Sequence, residues 1–209
     1  MNEQQKAVIN EAKQEAAAFF KHADPAHDFW HTERVAKQAV ALGKETDANL
    51  YVVELTAWLH DIADKKLNST EEEGLNNVRH WLSSHGVESD IAGQVMDIIE
   101  TMSFRNGTNK AEMKTIEGKV VQDADRLDAM GAIGIARAFA YSGTHGKPLH
   151  EPASADRKDR DTAIQHFFDK LLRLKSLMNT EEAKKLAHHR QRFMVSYLEQ
   201  FYSEWEQKL

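Results

Sequence analysis

Leu59-His60-Asp61-Ile62-Ala63-Asp64 places a polar pair at the end of a segment that is apolar on most sides, with Val52, Val53, Leu55, Ala57, Trp58, Leu59 and Ile62. A helix that is apolar all round is a buried one. An ion carried into such a place is costly unless something pairs with it. A metal ion would be such a partner. Helical spacing puts Asp64 on the same edge as His60 and Asp61.

Two other segments offer ligands. His27-Asp28-Phe29-Trp30-His31 sets two imidazoles four residues apart, hence on one helical face. Gln122-Asp123-Ala124-Asp125-Arg126-Leu127-Asp128 puts three acids into an otherwise apolar helix. If the three helices pack together, His31, His60, Asp61 and Asp125 can converge. Imidazole and carboxylate ligands without sulfur suit Mn, Fe, Zn, Co or Ni better than Ca. Taken singly, each residue has a plainer reading. A lone buried histidine is commonly a hydrogen-bonded core residue, and the three acids could pair with Arg126 and nearby lysines. A rival reading takes His27-Asp28-x-x-His31 as a variant of the H-E-x-x-H zinc-protease pair. It needs Asp28 as a base and His27 in a barely formed first turn. A glycine-rich phosphate loop and a Gly-x-Ser-x-Gly elbow are absent from the chain.

The elements that must position these residues are helical nearly throughout. The periodicity predicts a first helix over residues 3–21. Asp24-Pro25 reads as a cap before a second helix that stops at Gly43, and the central apolar helix covers 48–63. Thr70-Glu71-Glu72-Glu73 has the form of a capping box opening a helix that ends near Gly86. A further helix covers 88–101, and 104–115 reads as a loop. Residues 116–140, with Gly118, Gly131 and Gly134 inside, form two helices or one with a bend. Residues 142–156 form the longest loop. Two long helices, 159–178 and 180–207, close the chain by packing on the same core. Trp30, Trp58 and Trp81 are read as core. One domain of all-α architecture is expected, with the metal site within 25–130.

Composition agrees. The 10 Gly and 3 Pro among 209 residues are too few for a many-turned β-sandwich or barrel. With no Cys there can be no disulfide scaffold, Cys-based zinc ribbon, iron–sulfur cluster or thiol nucleophile. The net charge of −6 speaks against a nucleic-acid coat, so no stable nucleic-acid partner is expected. Residues 1–14 are polar with both charge signs, and no window has the apolar length of a membrane span. A cytoplasmic chain with no membrane partner is expected.

His31, then His60-Asp61, then Asp125 resembles the H…HD…D signature of the HD-domain metal-dependent phosphohydrolases. Longer stretches are similar to one group within it, the YpgQ/YedJ type. They are His31-Thr32-Glu33-Arg34-Val35, His60 to Asp64, Ser103-Phe104, Gln122 to Ala129, Gly131 to Arg137, and the tail from His166 to Thr180. The resemblance covers about residues 20–205. It implies an all-α HD-domain helical bundle whose central buried helix carries the His-Asp pair. It also implies a divalent metal, manganese first, held by His31, His60, Asp61 and Asp125. The group's activity would be the cutting of nucleoside triphosphates to monophosphate and pyrophosphate. Asp64 stands where other HD phosphohydrolases carry a carboxylate that positions water or moves a proton. The (p)ppGpp hydrolases have a second acid beside it, where this chain has Lys65. Some relatives carry His where this chain has Met102.

A bound divalent cation acidifies water and polarises a phosphoryl oxygen, and Asp64 is the candidate to accept the proton. Lys65, Lys66 and Arg105 are the candidate phosphate contacts, Arg105 first because its planar fork suits phosphate. His27 is a candidate substrate contact. Three functions are weighed: a nucleotide pyrophosphohydrolase; a 5′-monophosphatase or cyclic-nucleotide phosphodiesterase at the same site; and a non-enzymatic nucleotide or metal sensor. The apolar faces of the last two helices would either form a homodimer contact or cover the core.

Overall fold

The structure is a computed structural model that describes residues 1–22, 28–64, 68–102, 113–152 and 161–208. Among them no strand occurs, and no helix is long and apolar enough to cross a membrane. The chain divides into two compact units, Met1–Ala124 and Asp125–Leu209.

In the first unit, α1 (Glu3–Phe19) starts with a reciprocal cap. Asn2 Oδ1 accepts from the Gln5 backbone N–H, and Gln5 Oε1 accepts from the Asn2 N–H. A 3-10 turn, Phe20–His22, follows it. Helix α2 (Phe29–Lys44) is capped by Asp28. The Asp24-Pro25 start expected from the sequence lies outside the described residues. The aspartate four residues later does the capping.

Helix α3 (Leu50–Leu59) is the buried centre expected, packed between α1, α2 and α5. Val52, Val53, Leu55, Ala57 and Leu59 have no measurable exposure. It is shorter than the periodicity predicts. The α-helix ends at Leu59 and tightens into a 3-10 turn, His60–Ala63. The His-Asp pair therefore opens a turn at the end of the central helix.

Helix α4 (Glu71–Ser84) begins where the capping residues predict. Thr70 Oγ1 accepts from the Glu73 N–H, while Glu73 Oε2 accepts from the Ser69 N–H. It ends at Ser84, and Gly86 just beyond has φ +64°, the left-handed conformation glycine adopts without strain. Helix α5 (Ser89–Met102) packs on α3 and α4. Helix α6 (Ile116–Asp128) opens on Thr115, whose Oγ1 accepts from the Gly118 N–H. Two polar contacts tie α6 into this unit. Asn49 N–H donates to Glu117 Oε1 at 2.8 Å, and Gln122 Nε2 donates to the Met102 carbonyl at 3.2 Å.

The second unit takes the last residues of α6, then α7 (Gly131–Thr144), α8 (Ala163–Asp169) and α9 (Glu181–Trp205). The break between α6 and α7 falls at Gly131, φ +72°. The single helix expected over 159–178 is instead α8 followed by a 3-10 helix, Leu171–Leu177. Buried Leu171 and Leu174 are three residues apart, the repeat that stacks on one side of a 3-10 helix. Phe167, Leu174, Met194 and Leu198 fill this core.

Candidate metal centre

His31 lies in the first turn of α2 and is 2% exposed. Its backbone N–H donates to Asp28 Oδ1 at 2.9 Å, so the capping residue also fixes the turn that carries the imidazole. This use of Asp28 speaks against its serving as the base of a zinc-protease pair. His27 lies outside the described residues.

His60 starts the 3-10 turn and is also buried, at 7% exposed. Asp61 follows it, and its two carboxylate oxygens reach in different directions. Oδ2 is 3.2 Å from His31 Nε2, and Oδ1 is 3.2 Å from His60 Nε2. The two rings stand edge to face with centroids 5.6 Å apart. Nitrogen atoms of His31 and His60 lie within 4.8 Å of each other. Three of the residues singled out by type and spacing thus meet within the first unit.

The His60 ring shows what this arrangement is suited to. Its Nδ1 is 2.8 Å from the Ala57 carbonyl, which can only accept, so Nδ1 carries a hydrogen. In the neutral ring Nε2 then presents a lone pair. That atom is buried and has no hydrogen-bond partner. A lone pair set 3.2 Å from a carboxylate oxygen puts two acceptors together. A cation removes the repulsion. A ligating histidine usually donates its other nitrogen to a carbonyl or carboxylate, which is the pattern found here. The donor set fits a divalent metal of the borderline class.

Asp64 caps the C-terminal end of the turn in extended conformation, half-buried, with its N–H donating to the Asp61 carbonyl at 3.1 Å. The shared helical edge expected for it does not form, because the 3-10 turn stops at Ala63 and Asp64 is extended, ψ 126°. Asp125 stands on α6, half-buried, two residues after fully buried Asp123, and opens the second unit. Asp128 has its own partner, Arg137 at 2.9 Å. Arg126 donates to the Leu177 carbonyl. Lys65, Lys66 and Arg105 lie outside the described residues.

Two features escaped the sequence reading. Trp30, expected in the core, is 60% exposed, whereas Trp58 and Trp81 are buried as expected. The position just before His31 carries no periodicity signal to separate the two outcomes. Asn68 reaches back to the His-Asp turn, a contact that no spacing rule announces.

Residues 29–130 match the HD domain family. The chain is 45% identical over 175 residues to the Bacillus subtilis (strain 168) protein YpgQ, itself described as uncharacterized, covering 83% of this chain and 82% of that protein. The crystal structure of YpgQ in complex with ADP is similar with a TM-score of 0.82 and 37% identity, covering 96% of each chain. An HD-superfamily hydrolase from Bacillus thuringiensis gives a TM-score of 0.79 at 40% identity, over 97% of this chain and 98% of that one. A predicted HD-superfamily hydrolase from an uncultured Thermotogales bacterium gives 0.62 at 28% identity, over 96% and 92%.

Proposed function

The chain belongs to the HD-domain family of metal-dependent hydrolases, and on that premise we propose that it hydrolyses a nucleotide, cutting a nucleoside triphosphate to the monophosphate and pyrophosphate. The observation that carries the hydrolytic reading is the buried His31–Asp61–His60 cluster, with the His60 Nε2 lone pair turned toward it. The nucleotide is supported by the ADP seen with YpgQ, a relative of high coverage.

In this reading His31, His60, Asp61 and Asp125 hold a divalent metal, manganese first. Asp125 is included on the strength of the sequence pattern and of its partly buried place on unbroken α6. When bound, such a cation polarises a phosphoryl oxygen and lowers the pKa of water toward neutrality. Asp64, three residues after Asp61, takes the proton from the attacking water. Arg105, with Lys65 and Lys66, offsets the charge of the departing phosphates, and His27 contacts the substrate.

Phosphorus NMR of a nucleoside triphosphate with the protein and Mn²⁺ tests the proposal, with His60→Ala as control. Pyrophosphate is expected from the wild type alone. Orthophosphate as the sole phosphorus product would replace the pyrophosphohydrolase reading with stepwise phosphatase chemistry. An unchanged spectrum with metal bound would overturn the triphosphate.

A further inference from the structure

Asn68 lies outside the ligand set, yet its side-chain amide donates to two main-chain carbonyls at the end of the His-Asp turn. These are Ile62 O at 2.8 Å and Asp64 O at 2.9 Å. Both sit where regular structure runs out: the 3-10 turn stops at Ala63, and Asp64 is extended, ψ 126°. The last carbonyls of a helical segment lack partners within it, and here one amide group serves two of them. The amide is itself held from behind, because its Oδ1 accepts from Asn77 Nδ2 of α4 at 3.2 Å.

The backbone of α4 comes close enough to complete the brace. A Cβ at Gly74 would lie 2.7 Å from the Ala63 carbonyl oxygen and 2.8 Å from Asn68 Nδ2. Neither distance is one that real Cβ atoms show, so the absence of a side chain at Gly74 lets helix, amide and turn meet. The turn His60–Ala63 is thereby anchored at both ends. His60 Nδ1 donates to the Ala57 carbonyl at the start, and Asn68 holds the carbonyls at the finish.

We infer that Asn68 is a positioning residue. It fixes the carbonyl end of the turn that carries His60 and Asp61, and so sets where Asp64 stands relative to them. The kinetic part of its test rests on the reading of Asp64 as proton acceptor; the structural part does not.

The structural part is amide hydrogen exchange in the metal-free protein, read by NMR at Asp64, whose N–H donates to the Asp61 carbonyl. In Asn68→Ala, exchange at Asp64 is expected to quicken by about tenfold or more while α1 amides keep their rates. The kinetic part is a double-mutant cycle with Asp64→Asn. Asn68→Ala is expected to lower kcat about tenfold or more with KM changed less than about threefold. In the Asp64→Asn background it is expected to lower kcat less than about twofold, as for residues that act through one another. Asn68→Asp, of the same shape but without the donor, should reproduce both results. Should Asn68→Ala fail to fold, Asn77→Ala releases only the Asn68 Oδ1 and should give a smaller change of the same kind. Unchanged exchange at Asp64, or an equal kcat loss in both backgrounds, would overturn the inference. A wild type inactive on every nucleotide would overturn the proposed function instead, and the exchange result would still decide the role of Asn68.

Discussion

The ring of His60 is fixed from behind by the carbonyl oxygen of Ala57, 2.8 Å from Nδ1, one helical turn before it. A backbone carbonyl at the end of α3 has lost its helical partner and becomes available to a side chain. The tightening of α3 into the 3-10 turn thus frees the acceptor and presents the donor. The hydrogen settles on Nδ1, and Nε2 faces Asp61 and His31.

Metal should therefore stabilise the folded protein measurably. A ligand at a hundred times its Kd adds about 2.7 kcal/mol to the native state. Melting temperature is expected to rise on titration with Mn²⁺. In His60→Ala most of that rise should vanish. A rise of equal size in both proteins would place the metal elsewhere.

Asp28 has a structural task that reaches the site. Its Oδ1 accepts the backbone N–H of His31 at 2.9 Å. Loss of an N-cap acceptor costs about 1 kcal/mol, and the frayed turn here is the one that carries His31, a proposed ligand. Asp28→Ala is expected to lower stability by about that amount in urea titration and to weaken Mn²⁺ binding. Asp28→Ser keeps a cap acceptor and should recover most of both. If Asp28→Ala bound Mn²⁺ as the wild type does, the link between cap and ligand would fail.

The site was legible in the sequence where a residue type and a local spacing carry the information. His60-Asp61 after an all-apolar run announces a buried polar pair, and Thr70 and Gly86 mark the ends of α4 from local chemistry alone. What stayed hidden depends on tertiary geometry. The tightening of α3 into a 3-10 turn at His60 leaves the pattern of residue types unchanged. The split of 159–178 into α8 and a 3-10 helix follows from which leucines the second unit buries. Trp30 looks like Trp58 in a sequence, and only packing separates an exposed indole from a buried one. Asn68 carries no local signal of its role. Its amide bonds to Ile62 and Asp64 exist only because α4 closes over it at Gly74.

Glu54 on α3 gives a pH signature away from the metal. Burial raises its pKa above the usual carboxylate value, against the opposing effects of the nearby Trp58 indole N–H and the charges of Lys13 and Lys44. A folded-state pKa above the unfolded one means that folding favours the protonated form. The associated stability is present below the unfolded pKa and lost as pH rises through the folded one. Glu54→Gln removes that loss. Its melting temperature is expected to exceed the wild type's at pH 7, and the gain should shrink as pH falls through the carboxylate range. A difference that stayed constant with pH would mean that the substitution acts by packing.

Gly131 and Gly86 separate two costs that a glycine can avoid. Both have positive φ, +72° and +64°, so alanine at either place meets the left-handed penalty of about 1–2 kcal/mol. Their surroundings differ. Nothing lies within 4 Å of a Cβ built at Gly86, whereas at Gly131 it would stand 3.1 Å from Arg190 Cγ and 3.3 Å from Arg190 Cβ. Arg190 is not free to swing clear without loss, because its Nη1 donates to the Leu127 carbonyl at 2.5 Å, across the junction of α6 and α7. Burial lowers its pKa, with the charge of Asp128 acting the other way. Gly86→Ala should therefore cost the backbone penalty alone. Gly131→Ala should cost that and a further sum of order 1 kcal/mol for overpacking. Urea denaturation of the two variants beside the wild type measures the difference, and equal losses would show that the Arg190 side chain yields without cost.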